Sequence, residues 1–410
     1  MNVLVLNCGS SSVRFQLVQT DPARAADGTD RALARGHVEN IGGAALLKYE
    51  AADGRAIRES GEILEHKIAV EHVLALLTRA DVGVVKDRRE IDAVGHRVVH
   101  GGERFKASVR IDDGVVQGIE ECFDLAPLHN PPNVKGYRAA RELLGDAVPQ
   151  VAVFDTAFHQ TMPATAYLYG LPYVLYERHG VRRYGFHGTS HRFVAARLAA
   201  HLGRRLDDPA LRLIPCHLGN GCSVAAIRGG RSMDTSMGFT PLEGLLMGTR
   251  SGDLDPAILL HVMQKEELGP WEVNALLNKH SGLIGISGVS NDMRTLLEAE
   301  NGGNERAALA VSIFCYRLMK YIASYMGVLG GADGIAFAGG IGENAPAIRG
   351  RTLAPLAGLG IQLDEGRNQE LRGEEGEISA SPSAARVFVI PTNEEILIAR
   401  DTMQLVGAPA

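Results

Sequence analysis

The sequence is short of several residue types, and each shortage excludes a class of protein. Lysine supplies only eight of the 42 basic residues, no run of Lys and Arg is present, and the formal net charge is −6. A nucleic-acid-binding or membrane-surface role is therefore disfavoured, because both depend on clustered positive charge. None of the lysines follows a glycine, so the chain lacks the Gly-Lys-Ser/Thr sequence of a Walker phosphate loop.

Cysteines and long apolar runs are also scarce. The five cysteines are odd in number and form no Cys-x-x-Cys pair. This excludes a typical disulfide framework or structural zinc site and favours a reducing cytosol. No apolar run approaches the ~18 residues of a membrane-spanning helix, so none is expected. Residues 1–7 lack the basic region of a signal peptide and instead predict a first β-strand.

Glycine, by contrast, is abundant, with 48 of the 410 residues, compared with a usual fraction of about 7%. Many glycines lie in three segments, residues 3–15, 214–227 and 334–346, each of which contains a short apolar strand. The first two segments share a pattern of strand, tight polar turn and strand, which predicts a β-hairpin. A repeat separated by about half the chain indicates two related domains.

Elsewhere apolar strands alternate with amphipathic helices, which indicates an α/β architecture. Helices are predicted at His66–Arg79, Asn133–Leu144, Ser190–Leu202, Asp255–Gln264, Glu305–Gly327 and Glu394–Leu405. Strands are predicted at Asp92–Val99, Val151–Phe154, Leu211–Cys216, Ile335–Ala338 and Arg386–Ile390. The most polar stretch, Asp364–Ser383, is expected to be an exposed loop or an edge hairpin.

Glycine-rich turns beside strands commonly bind phosphate, because bare backbone N–H groups can approach an anion closely. Two designs remain once the Walker loop is excluded. Gly340–Ala345 fits the Gly-x-Gly-x-x-Gly/Ala pattern of a dinucleotide fold, with Asp364 near the expected distance, but no second βαβ half follows it. The other design has a phosphate hairpin in each of two domains and an adenosine-binding Gly-Gly turn, as in sugar kinases, actin and chaperone ATPases. It accommodates all three segments.

Longer motifs carry a resemblance to a known family. Asn7-Cys-Gly-Ser-Ser-Ser-Val-Arg14 and His217-Leu-Gly-Asn-Gly-Cys-Ser223 resemble the two signature segments of the acetate kinase family. Other matching segments are residues 95–103, 127–133, 154–163, 183–191, 241–256 and 391–395. Because the matches run in order across nearly the whole chain, the sequence is identified as a member of this family.

The resemblance implies a fold, a reaction and an assembly. The fold is α/β, with two duplicated actin-like ATPase (ribonuclease H-like) domains and a central cleft. Residues 1–158 and 392–410 would form the first domain, with the first hairpin and the acyl site. Residues 159–391 would form the second, with the second hairpin, the adenosine site and the interface of a homodimer. The reaction is reversible in-line transfer of the ATP γ-phosphoryl group to acetate, giving ADP and acetyl phosphate. It would take place in the cytoplasm with Mg²⁺, or Mn²⁺ as an alternative ion.

Four residues are expected at the reacting groups. Arg97 and Arg250 lie in glycine-flanked turns, and a guanidinium fork suits carboxylate and phosphoryl oxygens. By resemblance they place acetate and the transferred phosphoryl group. His187 matches the family histidine that stabilises the phosphoryl group in the transition state. Asp155 follows a predicted strand and matches the catalytic aspartate, which would either orient the attacking groups or hold Mg²⁺ through water.

The resemblance assigns further residues to the substrates and the metal. Asn7 and Glu394 match the magnesium-binding pair. The nucleotide is assigned to Arg14, Ser10, Ser12, His217, Asn220, Gly221, Gly339, Gly340, Gly342 and Asn344. Arg14 stands where family members commonly carry lysine, which leaves its direct contact with phosphate open. The acyl site is assigned to Arg97, Val99, Leu128, Phe186 and Pro241, and Val99 would narrow it in favour of acetate.

Two alternatives stay open. The first is a propionate kinase of the same family, because one methylene group in a pocket changes discrimination by only ~1–3 kcal/mol. The second, of a different class, is a non-catalytic ATP-binding regulator on the same fold. Such a regulator would not need two arginines, a histidine, an aspartate and a small acyl pocket together. Neither nucleic acid nor a membrane is expected as a partner.

Overall fold

A computed structural model describes residues 1–407 of the chain. The chain divides into two compact units. Unit 1 comprises Met1–Phe158 and the chain from Asn393 onward, and unit 2 comprises His159–Thr392. Each unit is built on its own β-sheet. The substrate and interface roles assigned to the two predicted domains stay predictions.

Unit 1 contains an eight-stranded sheet in the order β5-β4-β3-β2-β1-β6-β8-β7. Its strands are β1 (Asn2–Cys8), β2 (Ser12–Gln19), β3 (Arg31–Glu39), β4 (Gly43–Ala51), β5 (Ala56–Ile63), β6 (Ala93–Val98), β7 (Val109–Arg110) and β8 (Gln150–Phe154). Its helices are α1 (Pro22–Asp27), α2 (His66–Thr78), α3 (Asp113–Glu120), α4 (Asn130–Leu144) and, last in the chain, α16 (Glu394–Gly407).

Unit 2 contains a six-stranded sheet in the order β11-β10-β9-β12-β14-β13. Its strands are β9 (Arg212–Leu218), β10 (Cys222–Arg228), β11 (Arg231–Thr235), β12 (Gly334–Ala338), β13 (Gly376–Glu377) and β14 (Arg386–Val389). Its helices are α5 (Ala164–Tyr167), α6 (Tyr173–His179), α7 (Gly188–His201), α8 (Ala257–Lys265), α9 (Pro270–Lys279), α10 (Gly282–Ser287), α11 (Met293–Asn301), α12 (Glu305–Leu329), α13 (Gly339–Asn344), α14 (Pro346–Leu353) and α15 (Glu365–Glu370).

The two sheets share a core of five strands in the same order. In unit 1, β2 pairs antiparallel with β1 and β3, while β1, β6 and β8 are parallel neighbours. In unit 2, β10 pairs antiparallel with β9 and β11, while β9, β12 and β14 are parallel neighbours. If the five strands of each sheet are numbered by their order along the chain, their order across the sheet is 3-2-1-4-5 in both units. The predicted α/β fold with two related halves is confirmed.

The C-terminal helix α16 packs on β1, β6 and β8 of unit 1. Its buried residues include Ile398 and Met403. Gly95 in β6 permits the close approach, because a Cβ atom there would lie 2.6 Å from both Ile398 Cγ2 and Thr402 Oγ1. This packing fixes the first residue of α16, Glu394, at the edge of the unit 1 sheet where the parallel strands end.

Each of the helices and strands predicted above is present, with its ends shifted by no more than a few residues. The polar stretch Asp364–Ser383 departs from its prediction in part. It contains the edge strand β13, antiparallel to β14, but also the helix α15, which was not expected. The sequence analysis also missed β3, β4 and β5. The alternation that reveals a strand is weak in β5, whose residues are mostly exposed.

One helix of unit 2 is long and rich in apolar residues. Helix α12 has 25 residues and is long and apolar enough to cross a membrane by length and composition alone. Length and composition are weak evidence for a membrane span, because the core helix of a soluble protein can have both. In α12, 39% of the most apolar stretch is buried within the structure, and the buried positions follow helical spacing: Ala307, Ala310, Val311, Phe314, Cys315, Leu318, Ile322, Tyr325 and Leu329.

Candidate active site

Arg97 and Asp155 form a buried ion pair in unit 1. Arg97 lies in β6 and Asp155 directly follows β8. Because these strands are parallel neighbours, both residues lie at the same edge of the sheet, where ligand sites of α/β folds form. Arg97 donates from Nε to Asp155 Oδ1 at 3.0 Å and from Nη2 to Oδ2 at 2.5 Å. Asp155 is only 1% exposed, so the pairing fixes the guanidinium plane.

Asn7 and Glu394 complete what we call the Arg97 cluster: Asn7, Arg97, Asp155 and Glu394. Asn7 Oδ1 accepts from Arg97 Nη1 at 3.4 Å. Glu394 Oε2 lies 3.8 Å from Arg97 Nε. The structure therefore brings together four residues that come from four separate parts of the sequence.

Two carboxyl groups share one guanidinium in this cluster. Burial raises the pKa of Asp155, and Arg97 opposes that rise while Glu394 adds to it. Burial also raises the pKa of Glu394, where Arg97 and Arg14 oppose the rise and Glu395 adds to it. Burial alone would lower the pKa of Arg97, but Asp155 and Glu394 raise it. The excess of buried negative charge would be relieved by a cation.

The donors in the cluster suit magnesium. Mg²⁺ prefers oxygen ligands, keeps several waters and commonly takes only one or two carboxylates from the protein. The Asn7 amide oxygen and the Glu394 carboxyl are such donors. Within residues 1–407, no group of three or more His, Cys, Asp or Glu side chains could hold a metal.

The first hairpin connects β1 to β2 beside this cluster. Gly9 N–H donates to the Ser12 carbonyl at 2.8 Å, and Asn7 pairs with Arg14 across the hairpin. Ser10 and Arg14 are exposed. Within the described residues, the side chains of Ser10, Ser12 and Arg14 form no hydrogen bond to the protein. They are available to a ligand on this side of the sheet.

Two buried asparagines hold the loop after Arg97, a role that the sequence analysis did not assign. Asn130 Oδ1 accepts from His100 N–H at 3.1 Å and its Nδ2 donates to the His100 carbonyl at 2.9 Å. Asn133 accepts from Val99 N–H at 3.1 Å and donates to the Cys8 carbonyl at 2.7 Å. Asn133 thereby ties the Arg97 loop to the first hairpin. The only signal was the matching segment at residues 127–133.

In unit 2, His187, His217 and Arg250 converge on the second hairpin. His187 has a φ of +56°, which is uncommon outside glycine. Its Nδ1 lies 3.0 Å from Ser223 Oγ, and its ring centroid lies 4.3 Å from that of His217. A Cβ atom on Gly221 would lie 3.4 Å from His187 Cε1 and 3.5 Å from Arg250 Nη1. We call His187, His217, Gly221 and Arg250 the Arg250 cluster.

Arg250 has a different environment from Arg97. Its Nη1 donates to the Pro241 carbonyl at 3.0 Å and lies 3.7 Å from Met247 Sδ. Among residues 1–407 it forms no ion pair with a carboxylate. Burial lowers its pKa. A partly buried cation beside two imidazole rings, without a protein anion, is suited to bind an external anion.

Asn220 at the tip of the second hairpin is held by two neighbours. Its carbonyl accepts from Gly248 N–H at 3.0 Å, and its Oδ1 accepts from Asn291 Nδ2 at 3.1 Å. Gly248 must be small, because a Cβ atom there would lie 1.9 Å from Asn220 Oδ1. The sequence analysis missed Asn291, which precedes α11 and carries no recognisable motif.

The third glycine-rich segment forms the short helix α13. Gly339 has a φ of +75°, and a Cβ atom there would lie 2.7 Å from the Leu218 carbonyl oxygen, so the protein itself requires glycine. Gly340 differs, because a Cβ atom would meet nothing within 4 Å. Gly342 is buried, and Asn344 Nδ2 donates to the Gly340 carbonyl at 3.0 Å. The open space at Gly340 is compatible with a bound ligand, and nucleotide binding there stays a prediction.

The residues assigned to the acyl site lie in both units. Val99 and Phe186 are buried, with 7% and 2% exposure, and Pro241 is half-buried. Leu128, by contrast, is 63% exposed. Val99 and Leu128 belong to unit 1, whereas Phe186 and Pro241 belong to unit 2. Their grouping into one pocket stays a prediction.

Comparison with known proteins gives consistent full-length matches. The model of the acetokinase family matches residues 2–400. The chain is 52% identical to the acetate kinase of Methanosarcina barkeri, covering 100% of this chain and 98% of that protein. The crystal structure of Porphyromonas gingivalis acetate kinase superposes with a TM-score of 0.93 at 47% identity, covering 99% of each chain. A propionate kinase structure from Francisella tularensis gives 0.90 at 41% identity, covering 98% of this chain and 99% of that one.

The duplicated fold, the two clusters and these similarities define the class of protein. It is a kinase, that is, a phosphotransferase. Within that class, the chain belongs to the acetokinase family, because the family model and the curated relatives both span nearly its full length.

Proposed function

We propose that the protein transfers the γ-phosphoryl group of ATP to acetate, giving ADP and acetyl phosphate, in a reversible reaction that requires Mg²⁺. The observation that carries the proposal is the 52% identity over the full length to a relative named acetate kinase. The chemistry of the two clusters supports it. Phosphoryl transfer depends mainly on positioning and charge neutralisation, and the clusters offer fixed cationic and oxygen donors.

The Arg97 cluster would bind the acceptor. Asp155 occupies the Nε and Nη2 edge of Arg97, and Asn7 accepts one hydrogen from Nη1, so the second Nη1 hydrogen remains for a carboxylate oxygen of acetate. Of the two roles open for Asp155, this contact supports the first, orientation of the attacking group, which Asp155 would exert through Arg97. Acetate is already ionised at neutral pH, so its attack needs no strong general base. Asn7 and Glu394 would hold Mg²⁺, which when bound would neutralise phosphate charge.

The Arg250 cluster would bind the transferred group. Arg250 supplies an unpaired guanidinium, and His187, held by Ser223, supplies a ring donor. Donors fixed before the reaction stabilise charge that develops on the phosphoryl oxygens without needing to reorganise. The exposed tips of both hairpins would contact the nucleotide phosphates, and the Gly339–Asn344 helix would receive the adenosine.

An acid panel tests the proposal. The protein is incubated with ATP, Mg²⁺ and acetate, propionate, butyrate or formate, and acyl phosphate is trapped with hydroxylamine. We expect acetate to give the highest kcat/KM and propionate a lower, measurable value. Strong turnover of propionate with none of acetate would reassign the protein as a propionate kinase. Nucleotide binding without any acyl phosphate would favour a non-catalytic regulator.

We also propose a homodimer formed through unit 2. The support is a set of exposed apolar side chains in this unit. On α12, Leu309 and Tyr316 lie two turns apart on one side and are 53% and 56% exposed. Trp271 on α9 is 83% exposed. Light scattering during gel filtration should give twice the chain mass, and Leu309→Glu with Tyr316→Glu should reduce it. A monomeric wild-type protein would contradict the proposal.

A cytoplasmic location is the remaining proposal. All five cysteines are free and buried. Burial raises the pKa of the Cys8 thiol to about 12, so little reactive thiolate is present. Free thiols that serve as core residues fit a reducing compartment. Fractionation of cells followed by immunoblotting would test the location.

A further inference from the structure

Glu343 is a half-buried carboxyl group that the proposed mechanism does not use. Its Oε1 accepts from Gly339 N–H at 2.7 Å and from Thr392 N–H at 3.1 Å. One oxygen atom of Glu343 therefore joins Gly339, the first residue of α13, to Thr392, which lies 49 residues after Glu343. A hydrogen bond to a charged group is stronger than one between neutral groups.

Thr392 is also held through its side chain. Its Oγ1 lies 2.7 Å from Ser190 Oγ, which lies 2.8 Å from His217 Nδ1. The His217 ring in turn packs against His187. The backbone N–H of Thr392 is thus bonded to Glu343 in helix α13, and its hydroxyl group is linked through Ser190 to His217.

The far end of α13 is fixed as well. Arg349 is fully buried, and its Nη1 donates to the carbonyls of Gly342 at 2.8 Å and Glu343 at 3.0 Å. Glu343 holds the N-terminal end of the helix and Arg349 holds its C-terminal carbonyls. If a ligand displaced α13, Thr392 would therefore be expected to move with the helix, because both ends of α13 are held by hydrogen bonds.

Thr392 is the last residue of unit 2, and Glu394 lies two residues beyond it. Two residues span at most ~7 Å, so the position of Thr392 restrains that of Glu394. We propose that Glu343 is a positioning residue, which links nucleotide occupancy at α13 to the placement of Glu394 for Mg²⁺. The inference rests on the proposed function, because that function assigns the nucleotide to α13 and the metal to Glu394.

Calorimetric titration with ADP, in EDTA and again in Mg²⁺, tests the link without measuring turnover. Glu343→Ala leaves two N–H groups without their acceptor. We expect it to weaken binding in Mg²⁺ about tenfold more than in EDTA. Glu343→Gln keeps an acceptor oxygen and should restore most of the loss. Glu370→Gln, an exposed residue on α15, is the matched control and should behave as wild type.

Equal losses in EDTA and Mg²⁺ would overturn the inference, because they would show that Glu343 only stabilises α13. Thr392→Val provides a second, milder variant. It removes the bond to Ser190 and keeps the backbone bond to Glu343, so a smaller loss of the same Mg²⁺-selective kind is expected. An equal loss in both conditions for this variant would also count against the link.

Glu394→Gln separates this inference from the proposed function. It should abolish the gain in ADP affinity that Mg²⁺ gives the wild type, and adding Glu343→Ala should then weaken binding equally in both conditions. If Glu394→Gln keeps the full Mg²⁺ gain, the proposed metal site is wrong. If it loses the gain but Glu343→Ala alone does not reduce it, only the role of Glu343 is wrong.

Discussion

The two units share a strand order but hold their arginines in opposite environments. Arg97 is paired with the buried Asp155 and lies near Glu394, whereas Arg250 contacts a carbonyl oxygen and a sulfur. One cluster has an excess of carboxyl groups and the other an excess of cationic and imidazole groups. The same five-strand order thus carries a carboxyl-rich cluster in one unit and a cationic cluster in the other.

The difference arises where the fourth and fifth core strands end. In unit 1 these ends are joined by Arg97 in β6 and Asp155 after β8. In unit 2 the corresponding positions follow β12 and β14, and they are joined by Glu343 and Thr392. The same edge of the sheet thus carries an ion pair in one unit and a glycine-rich helix with its carboxyl anchor in the other.

The largest expected effect is on turnover. Arg97→Ala and Arg250→Ala should each lower kcat by about 10³-fold, because a positioned guanidinium at a transferring phosphoryl group contributes on this scale. Steady-state assays with acetate and ATP measure the loss, and circular dichroism checks that both variants fold. Turnover near the wild-type level in both variants would contradict the roles proposed for the Arg97 and Arg250 clusters.

Substitution of the two arginines should have different effects on the free energy of unfolding. Arg97→Met leaves Asp155 buried without its partner and should reduce the free energy of unfolding by about 3 kcal/mol. Arg250→Met removes a cation that has no protein anion, so its effect should be near zero. Urea unfolding of the two variants, compared at one pH, gives both values. Equal losses would show that the electrostatic contrast between the clusters does not affect stability.

Metal binding should depend on pH through Glu394. Its pKa is raised by burial, so it takes up a proton at a higher pH than an exposed glutamate, and affinity for Mg²⁺ falls as the pH falls through that value. As the pH is lowered from neutrality, we expect the apparent Kd for Mg²⁺ in the presence of ADP to rise several-fold, beginning at a higher pH than for an exposed glutamate. Glu394→Gln should flatten this dependence. A wild-type Kd independent of pH would contradict the assignment.

The last prediction concerns selectivity between acyl groups. Val99→Ala removes two methyl groups from a side chain that is 7% exposed, and should raise kcat/KM for propionate relative to acetate by about tenfold. Competition between the two acids in one assay gives the ratio directly. Leu128→Ala is a useful partner variant, because Leu128 is 63% exposed and should change the ratio less. A larger change in this ratio from Leu128→Ala than from Val99→Ala would contradict the prediction that Val99 limits the size of the acyl group.

Local patterns predicted much of this fold. The strand-turn-strand segments at residues 3–15 and 214–227 form the two hairpins, because alternating apolar residues and small polar turns specify short-range pairing. Helix α12 was predicted from the helical periodicity of its apolar residues. Strand β5 was also missed, because an exposed strand has little apolar alternation to detect.

The candidate site likewise has features that local sequence determined and features that depend on tertiary structure. The sequence by itself determined the glycine-rich turns, the two hairpins that contain them, and the chemical types of residue available to a substrate. Only the tertiary structure decided that Arg97 is held by Asp155, 58 residues away, while Arg250 has no carboxylate partner among residues 1–407. The reason is physical. Backbone conformation depends on neighbours in sequence, whereas burial and charge pairing depend on residues that meet only when the parallel strands align.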